Sequence, residues 1–274
     1  MLLSGSIGVI ILQKKSKIIY VLSDDHSNSI YCSNNGNNHK DINKFLKDKL
    51  ELGEQILLEE VPRDGFELKE LWPDSPHTQN LKNLFLETDN IHGIDIRPYL
   101  IPFSWDVFEI EGESSKFKNI KLIDYLDKLN KFFKAKGPFF TKIFNPAYKS
   151  IKLRNSGLGK QLNSIRKYYF NILDKIDGKK SVYYYFIYDR CILDMIDILC
   201  SNIMEFYTIL LAFSTNKKSY IHTGLFHSNS IFKQLIGNYN FTIHYKHGTI
   251  SYPPKNNQVV SCTLLPNNSK FGIV

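Results

Sequence analysis

Short apolar runs alternate with amphipathic and polar segments over the first hundred residues of the chain. The runs rich in Ile, Leu and Val are residues 8–12, 18–22, 55–61 and 91–96. A short polar turn separates the first two runs, which predicts a hairpin. Ile42, Phe45 and Leu46 share one face of a predicted helix, with Asp41 placed to cap it and Gly53 to end it. The order strand, helix, strand, helix, strand predicts an α/β fold with parallel strands and right-handed crossovers.

The pattern changes after Pro102 and returns near the end of the chain. Two basic helices are predicted over residues 116–136 and 158–176, followed by a nearly uniformly apolar, buried helix over residues 182–213. The strand pattern then resumes at residues 219–223, 241–245 and, as an edge strand, 259–265. We therefore predict an α/β fold with a mainly parallel central sheet flanked by helices, and with a helical insert. Its predicted parts are residues 1–101, the insert 102–180, and residues 181–274.

Cysteine usage and hydropathy suggest a location for the chain. The four cysteines form no CxxC pair, which favours reduced thiols and an intracellular protein over a disulfide-bonded or thiolate zinc protein. The apolar start of the chain lacks a basic segment and a cleavage site, so it is interpreted as a strand rather than a signal peptide. Residues 192–213 are interrupted by Asp and Glu, so no membrane span is predicted.

Polar side chains follow the predicted strands at the points where they end. They are Asp24, Asp25 and His26 after the second strand, Glu59 and Glu60 after the third, Asp95 and Arg97 after the fourth, and His222 and His227 around a later one. Because the carboxyl ends of parallel strands lie on one edge of a sheet, these groups are expected to converge there. Only one of Glu59 and Glu60 is expected to point inward, and the ring of His227 is expected to face the open edge.

Two chemistries fit such a cluster. Two imidazoles with one or two carboxylates are ligands for a divalent ion that keeps an open coordination position. The same groups without a metal provide a histidine general base that a carboxylate orients. Each of these residues taken alone is more often a hydrogen-bonded structural residue, and Arg97 a salt-bridging one. Their placement at successive strand ends is what favours a functional site.

The order of these motifs resembles a known superfamily. A strand ending in Leu22-Ser23-Asp24-Asp25-His26, a strand ending in glutamate, the stretch Ile91-His92-Gly93-Ile94-Asp95-Ile96-Arg97, a helix carrying Asp197, and Gly224-Leu225-Phe226-His227 occur in that order. This resembles the TraB/PrgY–Tiki (GxxH) superfamily, which includes the Tiki metalloproteases and, more distantly, erythromycin esterases and ChaN-type proteins. It is also similar to uncharacterised proteins of large cytoplasmic DNA viruses.

The resemblance implies a hydrolase with a histidine–carboxylate site. It places the two motif histidines at His26 and His227, and the glutamate at Glu59 or Glu60. His26, Asp25, Glu60 and His227 would then hold Mn²⁺, Co²⁺ or Zn²⁺ in a metal-dependent enzyme, whereas an esterase-like enzyme would use a metal-free histidine base. In either form Asp25 would orient His26, and Arg97 would stabilise developing negative charge.

A basic segment suggests a different function. The chain carries a net charge of +8, and Lys and Arg are concentrated among aromatic residues within residues 128–167. That mixture can bind phosphates and stack bases, although lysines also commonly solvate helices whose aromatic faces form the core. The alternative is therefore a catalytically inactive viral structural or host-interaction protein that binds nucleic acid or another anionic partner, located in host cytoplasm or in a virion.

Overall fold

The computed structural model describes residues 1–25, 32, 38–60, 62, 81, 84, 88–102, 118–134, 144, 157–254 and 262–266. Over these residues the chain has a mixed α/β fold, as predicted. It divides into two compact units, one formed by Met1–Glu67, Asp74–Asp95 and Thr215–Val274, and the other by Leu68–Pro73 and Ile96–Ser214. This division differs from the predicted parts, since the second unit is wider than residues 102–180 and includes the long apolar helix.

The first unit contains a six-stranded sheet of mostly parallel strands. Its strands are β2 (Gly8–Lys14), β3 (Lys17–Asp24), β5 (Gln55–Leu58), β6 (Ile91–Gly93), β7 (Ser219–Gly224) and β8 (Thr242–Gly248), in the spatial order β6-β5-β7-β3-β2-β8. The predicted hairpin is confirmed, because β2 pairs antiparallel with β3. β6, β5, β7 and β3 run parallel to one another. The sheet therefore has one edge on which four parallel strands end.

A smaller sheet of three strands joins the two ends of the chain. It has the order β4-β1-β9, where β1 is Leu2–Ser4, β4 is His39–Asp41 and β9 is Cys262–Leu264. The predicted edge strand near the carboxyl terminus corresponds to β9, which pairs antiparallel with β1. The apolar start of the chain forms β1 and β2, so the predicted strand conformation is confirmed.

Helices cover both faces of the six-stranded sheet. Helix α1 (Ile42–Glu51) is capped by Asp41, whose carboxylate accepts a hydrogen bond of 2.8 Å from Asn43 N, as predicted. Its buried Phe45 packs edge-on against Tyr220 of β7. The helix that follows β7, Leu225–Gly237, contacts β3 and β7. Because successive side chains of β3 alternate between the faces, its apolar residues are buried on both sides.

The second unit is helical. In chain order its described helices are α2 (Arg97–Leu100), α3 (Leu122–Tyr125), α4 (Asp127–Phe133), α5 (Gly157–Leu173), α6 (Val182–Tyr188) and α7 (Arg190–Phe213); the helix after β7 is α8. The single helix predicted over residues 182–213 is wrong in one respect. Asp189 adopts φ −149° and ψ 59°, which ends α6 and starts α7. The predicted burial is confirmed for the carboxyl half of α7, where Glu205 lies among apolar neighbours and is 1% exposed.

Helix α7 also bears on the predicted absence of a membrane span. By length and composition it is able to cross a membrane, but 72% of its most apolar window is buried inside the protein. Asp194 does not interrupt the buried face, because it lies on the exposed side and pairs with Arg190 at 3.3 Å. Burial of this extent is also found in core helices of soluble proteins, so the absence of a span stays a prediction.

One prediction about the cysteines is wrong. Cys32 and Cys262 form a disulfide bond, with Cα atoms 5.1 Å apart and 230 positions between them in the chain. The pairing of β1 with both β4 and β9 brings two segments that lie far apart in the chain into one sheet, which sequence spacing does not reveal. Cys191, which is exposed, and Cys200, which is buried, do not take part in this disulfide bond. The predicted intracellular location loses its argument from reduced thiols and stays a prediction.

Candidate functional site

The ends of the four parallel strands lie next to one another, as the sequence predicts. Asp24 at the end of β3 pairs in register with Gly224 at the end of β7. Leu58, the last residue of β5, pairs with His222 of β7 on one side and with Gly93 of β6 on the other. Neighbouring strands are about 4.8 Å apart, so the residues that follow these positions start within a narrow region. We refer to this region of the first unit as the carboxyl edge.

A glutamate and a histidine meet at the carboxyl edge. Glu59 follows β5 directly, and its Oε1 lies 3.5 Å from Nε2 of His227. The backbone N–H of Gly224 donates a hydrogen bond of 2.5 Å to the other carboxylate oxygen, Oε2. Both side chains are nearly inaccessible to solvent, with 7% of His227 and 4% of Glu59 exposed. The ring of His227 lies at this edge, in the first turn of α8, where it faces Glu59; it is buried, whereas the prediction has it facing the open edge.

The local sequence explains how this contact forms. Gly224 is the N-cap residue of α8 and has no side chain that could cap the helix. Glu59, which follows the neighbouring strand, accepts instead from the backbone N–H of Gly224 itself, and its own backbone N–H donates to His222 O at 3.0 Å. A carboxylate at the amino end of a helix also interacts favourably with the helix dipole. The contact with His227 thus joins two strands and a helix at one point.

The turn between β7 and α8 is held by a second set of hydrogen bonds. The hydroxyls of Thr223 and Ser228 are 2.7 Å apart, and Ser228 Oγ also donates to Thr223 O at 3.0 Å. Both residues are buried. Ile231 and Leu235 fix the helix on the sheet, as the predicted core spacing requires. His227 is therefore attached to a rigid junction.

Three further carboxylates are buried around this edge. Asp24, Glu60 and Asp95 are each at most 2% exposed. The expectation that only one of Glu59 and Glu60 points inward is wrong, because β5 ends at Leu58 and the two glutamates lie in a bend where strand alternation no longer applies. The bend continues to the next strand end, since Asp95 N donates to Glu60 O at 3.0 Å. Burying several carboxylates is costly unless each has polar partners.

The other predicted site residues have different positions. Asp25 follows β3 directly and is half-buried, whereas His26 lies outside the described residues. Arg97 is the first residue of α2 and belongs to the second unit. His222 is fully buried, and its Nε2 lies 3.0 Å from the carbonyl oxygen of Gly5. A ring N–H that donates to a backbone carbonyl in the core indicates a structural histidine.

The geometry partly fits a metal ion. In a tetrahedral zinc site two ligand atoms that each lie about 2.1 Å from the ion are roughly 3.4 Å apart. The 3.5 Å between Glu59 Oε1 and His227 Nε2 matches that separation. Within the part of the chain that the structure describes, no group of three or more His, Cys, Asp or Glu side chains is arranged to hold a metal. The predicted ligand set includes His26, so it stays a prediction.

Two aromatic residues at this edge were not identified from the sequence. The ring of Phe226 contacts His227 edge-on at 5.1 Å, and on another side it contacts Tyr252 at 5.2 Å. The only sequence signal is that Phe226 precedes His227. Nothing in the sequence indicates that residue 252 returns to the same edge.

No family model, no curated protein and no solved structure matches the chain. The resemblance to the TraB/PrgY–Tiki superfamily therefore rests on the order of its short motifs. The geometry at the carboxyl edge must carry any functional argument by itself.

Proposed function

We propose that the protein is a hydrolase in which His227 acts as a general base and Glu59 orients its ring. The contact of Glu59 Oε1 with His227 Nε2, at the edge where four parallel strands end, is the observation that carries this proposal. The 3.5 Å between these two atoms is longer than an ordinary N–H···O hydrogen bond. Catalytic contacts of this kind commonly shorten when substrate binds. The site would act on an ester, a phosphoester or a peptide bond.

The chemistry needs only proton transfer at one ring. Glu59 holds Nε2, so Nδ1 would be the atom that takes a proton from water as the water oxygen attacks the carbonyl or phosphoryl centre. The bond to the leaving group then breaks, and the proton on Nδ1 is passed to the leaving oxygen or nitrogen. Glu59 stays anionic throughout and stabilises the imidazolium that forms between the two steps. The buried position of the pair strengthens this electrostatic effect.

A metal-dependent form of the proposal uses the same pair. His227 and Glu59 would hold a divalent Mn, Co or Zn ion together with residues from the predicted set His26, Asp25 and Glu60. Such an ion would polarise the substrate and lower the pKa of bound water. The role expected for Arg97, which belongs to the second unit, stays a prediction. Metal analysis of protein purified without chelator, in wild type and His227→Ala, distinguishes the two forms: a stoichiometric ion that the variant loses supports the metal form, and its absence supports the metal-free base.

The activity is tested with 4-nitrophenyl acetate, bis(4-nitrophenyl) phosphate and a fluorogenic peptide. His227→Ala is expected to lower kcat by roughly 100-fold or more on the accepted substrate, and Glu59→Gln by about tenfold or more. Added imidazole is expected to restore part of the His227→Ala activity, which loss of a structural residue would not allow. His244→Ala and Glu51→Gln, at exposed positions, serve as matched controls. Wild-type turnover no greater than that of folded His227→Ala would overturn the proposal.

A second function is supported by the exposed face of α5. Lys160, Arg166 and Lys167 lie on this face, and the guanidinium of Arg166 lies 5.7 Å from the centre of the Phe170 ring. An exposed aromatic ring beside basic side chains fits binding to single-stranded nucleic acid. We propose this as the alternative, a virion or host-interaction protein that binds nucleic acid through residues 128–167.

Salt dependence tests the alternative. Charge reversal of Lys160, Arg166 and Lys167 is expected to abolish binding to a single-stranded oligonucleotide at low salt, since each phosphate contact adds to the salt dependence. Reversal of Lys44, Lys47 and Lys246, which lie exposed in the first unit, is the matched control because it changes net charge by the same amount in the other unit. Equal loss in both variants would indicate a nonspecific charge effect and exclude a site on α5.

A further inference from the structure

Phe226 and Tyr252 expose large aromatic surfaces beside the buried His227. Their exposed fractions are 45% and 51%. Single exposed apolar residues are common at protein surfaces and need no explanation. Here the two rings contact each other, with centroids 5.2 Å apart and planes at 89°, and one of them also contacts the proposed catalytic ring. We call these two residues the aromatic pair.

The topology brings Tyr252 to the carboxyl edge from a distant part of the chain. Gly8, at the start of β2, pairs with Ser23 near the end of β3 and with Gly248 at the end of β8. The chain therefore leaves β8 at the same edge on which β3 ends. Thr249 N then donates to Ile7 O at 2.8 Å, which continues this attachment past the strand. Three residues later Tyr252 meets Phe226, so the contact is built by two anchored segments.

Phe226 is fixed relative to His227 as well. The two residues are neighbours in the first turn of α8, and their rings are 5.1 Å apart with planes at 84°. An edge-to-face arrangement of this kind is a favourable one for aromatic rings. It leaves part of the Phe226 surface open to solvent on the outer side of a histidine that is itself buried. A planar group that packs on Phe226 would have its centre about 5–7 Å from the centre of the Phe226 ring.

We propose that the aromatic pair binds an aromatic or large apolar group of the substrate and so places the adjacent ester, phosphoester or amide bond at His227. This inference rests on the proposed hydrolase function, because the bound group is taken to be part of the substrate. It concerns the binding of that group and not proton transfer. It assigns Phe226 and Tyr252 as specificity residues. It also identifies the substrate class as one that carries a phenyl-sized group close to the bond that is cleaved.

Binding is measured without reference to turnover. N-acetyl-L-phenylalaninamide and N-acetyl-L-alaninamide are titrated into the full chain and followed by saturation-transfer NMR. The wild type is expected to bind the phenyl ligand more tightly. Phe226→Leu and Tyr252→Leu are expected to reduce this preference by about 3- to 10-fold, because they keep apolar volume and remove the ring. Tyr252→Phe is expected to retain it.

Controls separate this inference from the proposed function and from self-association. Tyr188→Leu removes an exposed ring (74%) that also contacts a second ring, in the other unit, and is expected to change nothing. His227→Ala is expected to lower kcat by roughly 100-fold or more and to keep the preference for the phenyl ligand. If the wild type turns over no substrate but still prefers the phenyl ligand, and this preference depends on the aromatic pair, the hydrolase proposal is refuted and the binding site is retained. No preference in wild type, a preference that survives both Leu variants, or dissociation of a dimer by Phe226→Leu would each overturn the inference.

Discussion

At the scale of single residues, Glu59 has two functions that a carboxylate at this position can perform together. One oxygen accepts from the N–H of Gly224 and caps α8, and the other contacts Nε2 of His227. The hydrogen bond with Gly224 would by itself explain why Glu59 is buried. The contact with His227 would by itself fit the proposed catalytic role of Glu59. Because the two oxygens act separately, substitutions that keep one interaction and remove the other can distinguish them.

Glu59→Gln and Glu59→Ala are expected to differ in stability. Glutamine keeps an oxygen that can accept from Gly224 N–H, so its cost should be small. Alanine leaves that part-buried N–H without this acceptor, which costs up to about 1–3 kcal/mol of unfolding free energy. Urea unfolding of the two variants measures the difference, with Glu51→Ala as an exposed control in α1. Equal stability of the two Glu59 variants would show that the carboxylate does not cap α8.

Part of the site could be predicted from residue types and their order. Glu59 and His227 follow strands that end on the same edge, which predicts that they lie close together, and parallel pairing does bring them into contact. The burial of both Glu59 and Glu60 could not be predicted, since alternation along β5 stops at Leu58 and the bend has its own geometry. The burial of the His227 ring depends on where α8 begins, and helix ends are difficult to locate from sequence.

At the scale of elements, the close approach of β6 to the bend after β5 determines where Glu60 lies. A Cβ atom added to Gly93 would lie 2.6 Å from Glu60 O and 2.9 Å from Pro62 N, both of which are backbone atoms. Only a glycine allows the two segments to come this close without movement of the chain. The carboxyl edge therefore depends on a residue that has no functional group of its own.

Gly93→Ala is expected to destabilise the protein by about 1–3 kcal/mol, the usual range for overpacking at a site that cannot relax. It is also expected to displace Glu60 and Asp95 and to reduce any activity of the site. Gly237→Ala is the matched control, because no atom lies within 4 Å of its added Cβ and alanine is the better helix residue at the end of α8. Thermal unfolding of both variants provides the comparison. A Gly93→Ala protein as stable as wild type would show that this approach is not tightly packed.

Elements with a strong local pattern could be predicted, and those that depend on distant pairing could not. The hairpin of β2 and β3 and the capped helix α1 follow from neighbouring residues. No proline or glycine marks the interruption between α6 and α7. The residue whose backbone leaves the helical region there is an aspartate, Asp189. The three-stranded sheet joins residues near both ends of the chain, and short strands at such separation carry little periodicity.

At the scale of the whole molecule, the disulfide between Cys32 and Cys262 closes nearly the full length of the chain, since 230 positions separate its ends. In the chain-entropy model a cross-link of this length stabilises the folded state by up to about 5 kcal/mol. Both ends belong to the first unit, and β9 begins at Cys262. Loss of the bond should therefore weaken the sheet β4-β1-β9 before it affects the helices of the second unit.

The variant Cys32→Ser/Cys262→Ser is expected to show a lower Tm and faster hydrogen exchange in β1, β4 and β9, with exchange in α5 and α7 unchanged. The reason is that removing the disulfide raises the conformational entropy of the unfolded chain and no longer ties down β9, which pairs with β1. Cys191→Ser, at an exposed free thiol, is the control and should match wild type. Wild type treated with a dithiol reductant should reproduce the double variant. Faster exchange in α5 and α7 to the same degree would contradict this expectation, because it would show that the cross-link stabilises both units as one cooperative structure.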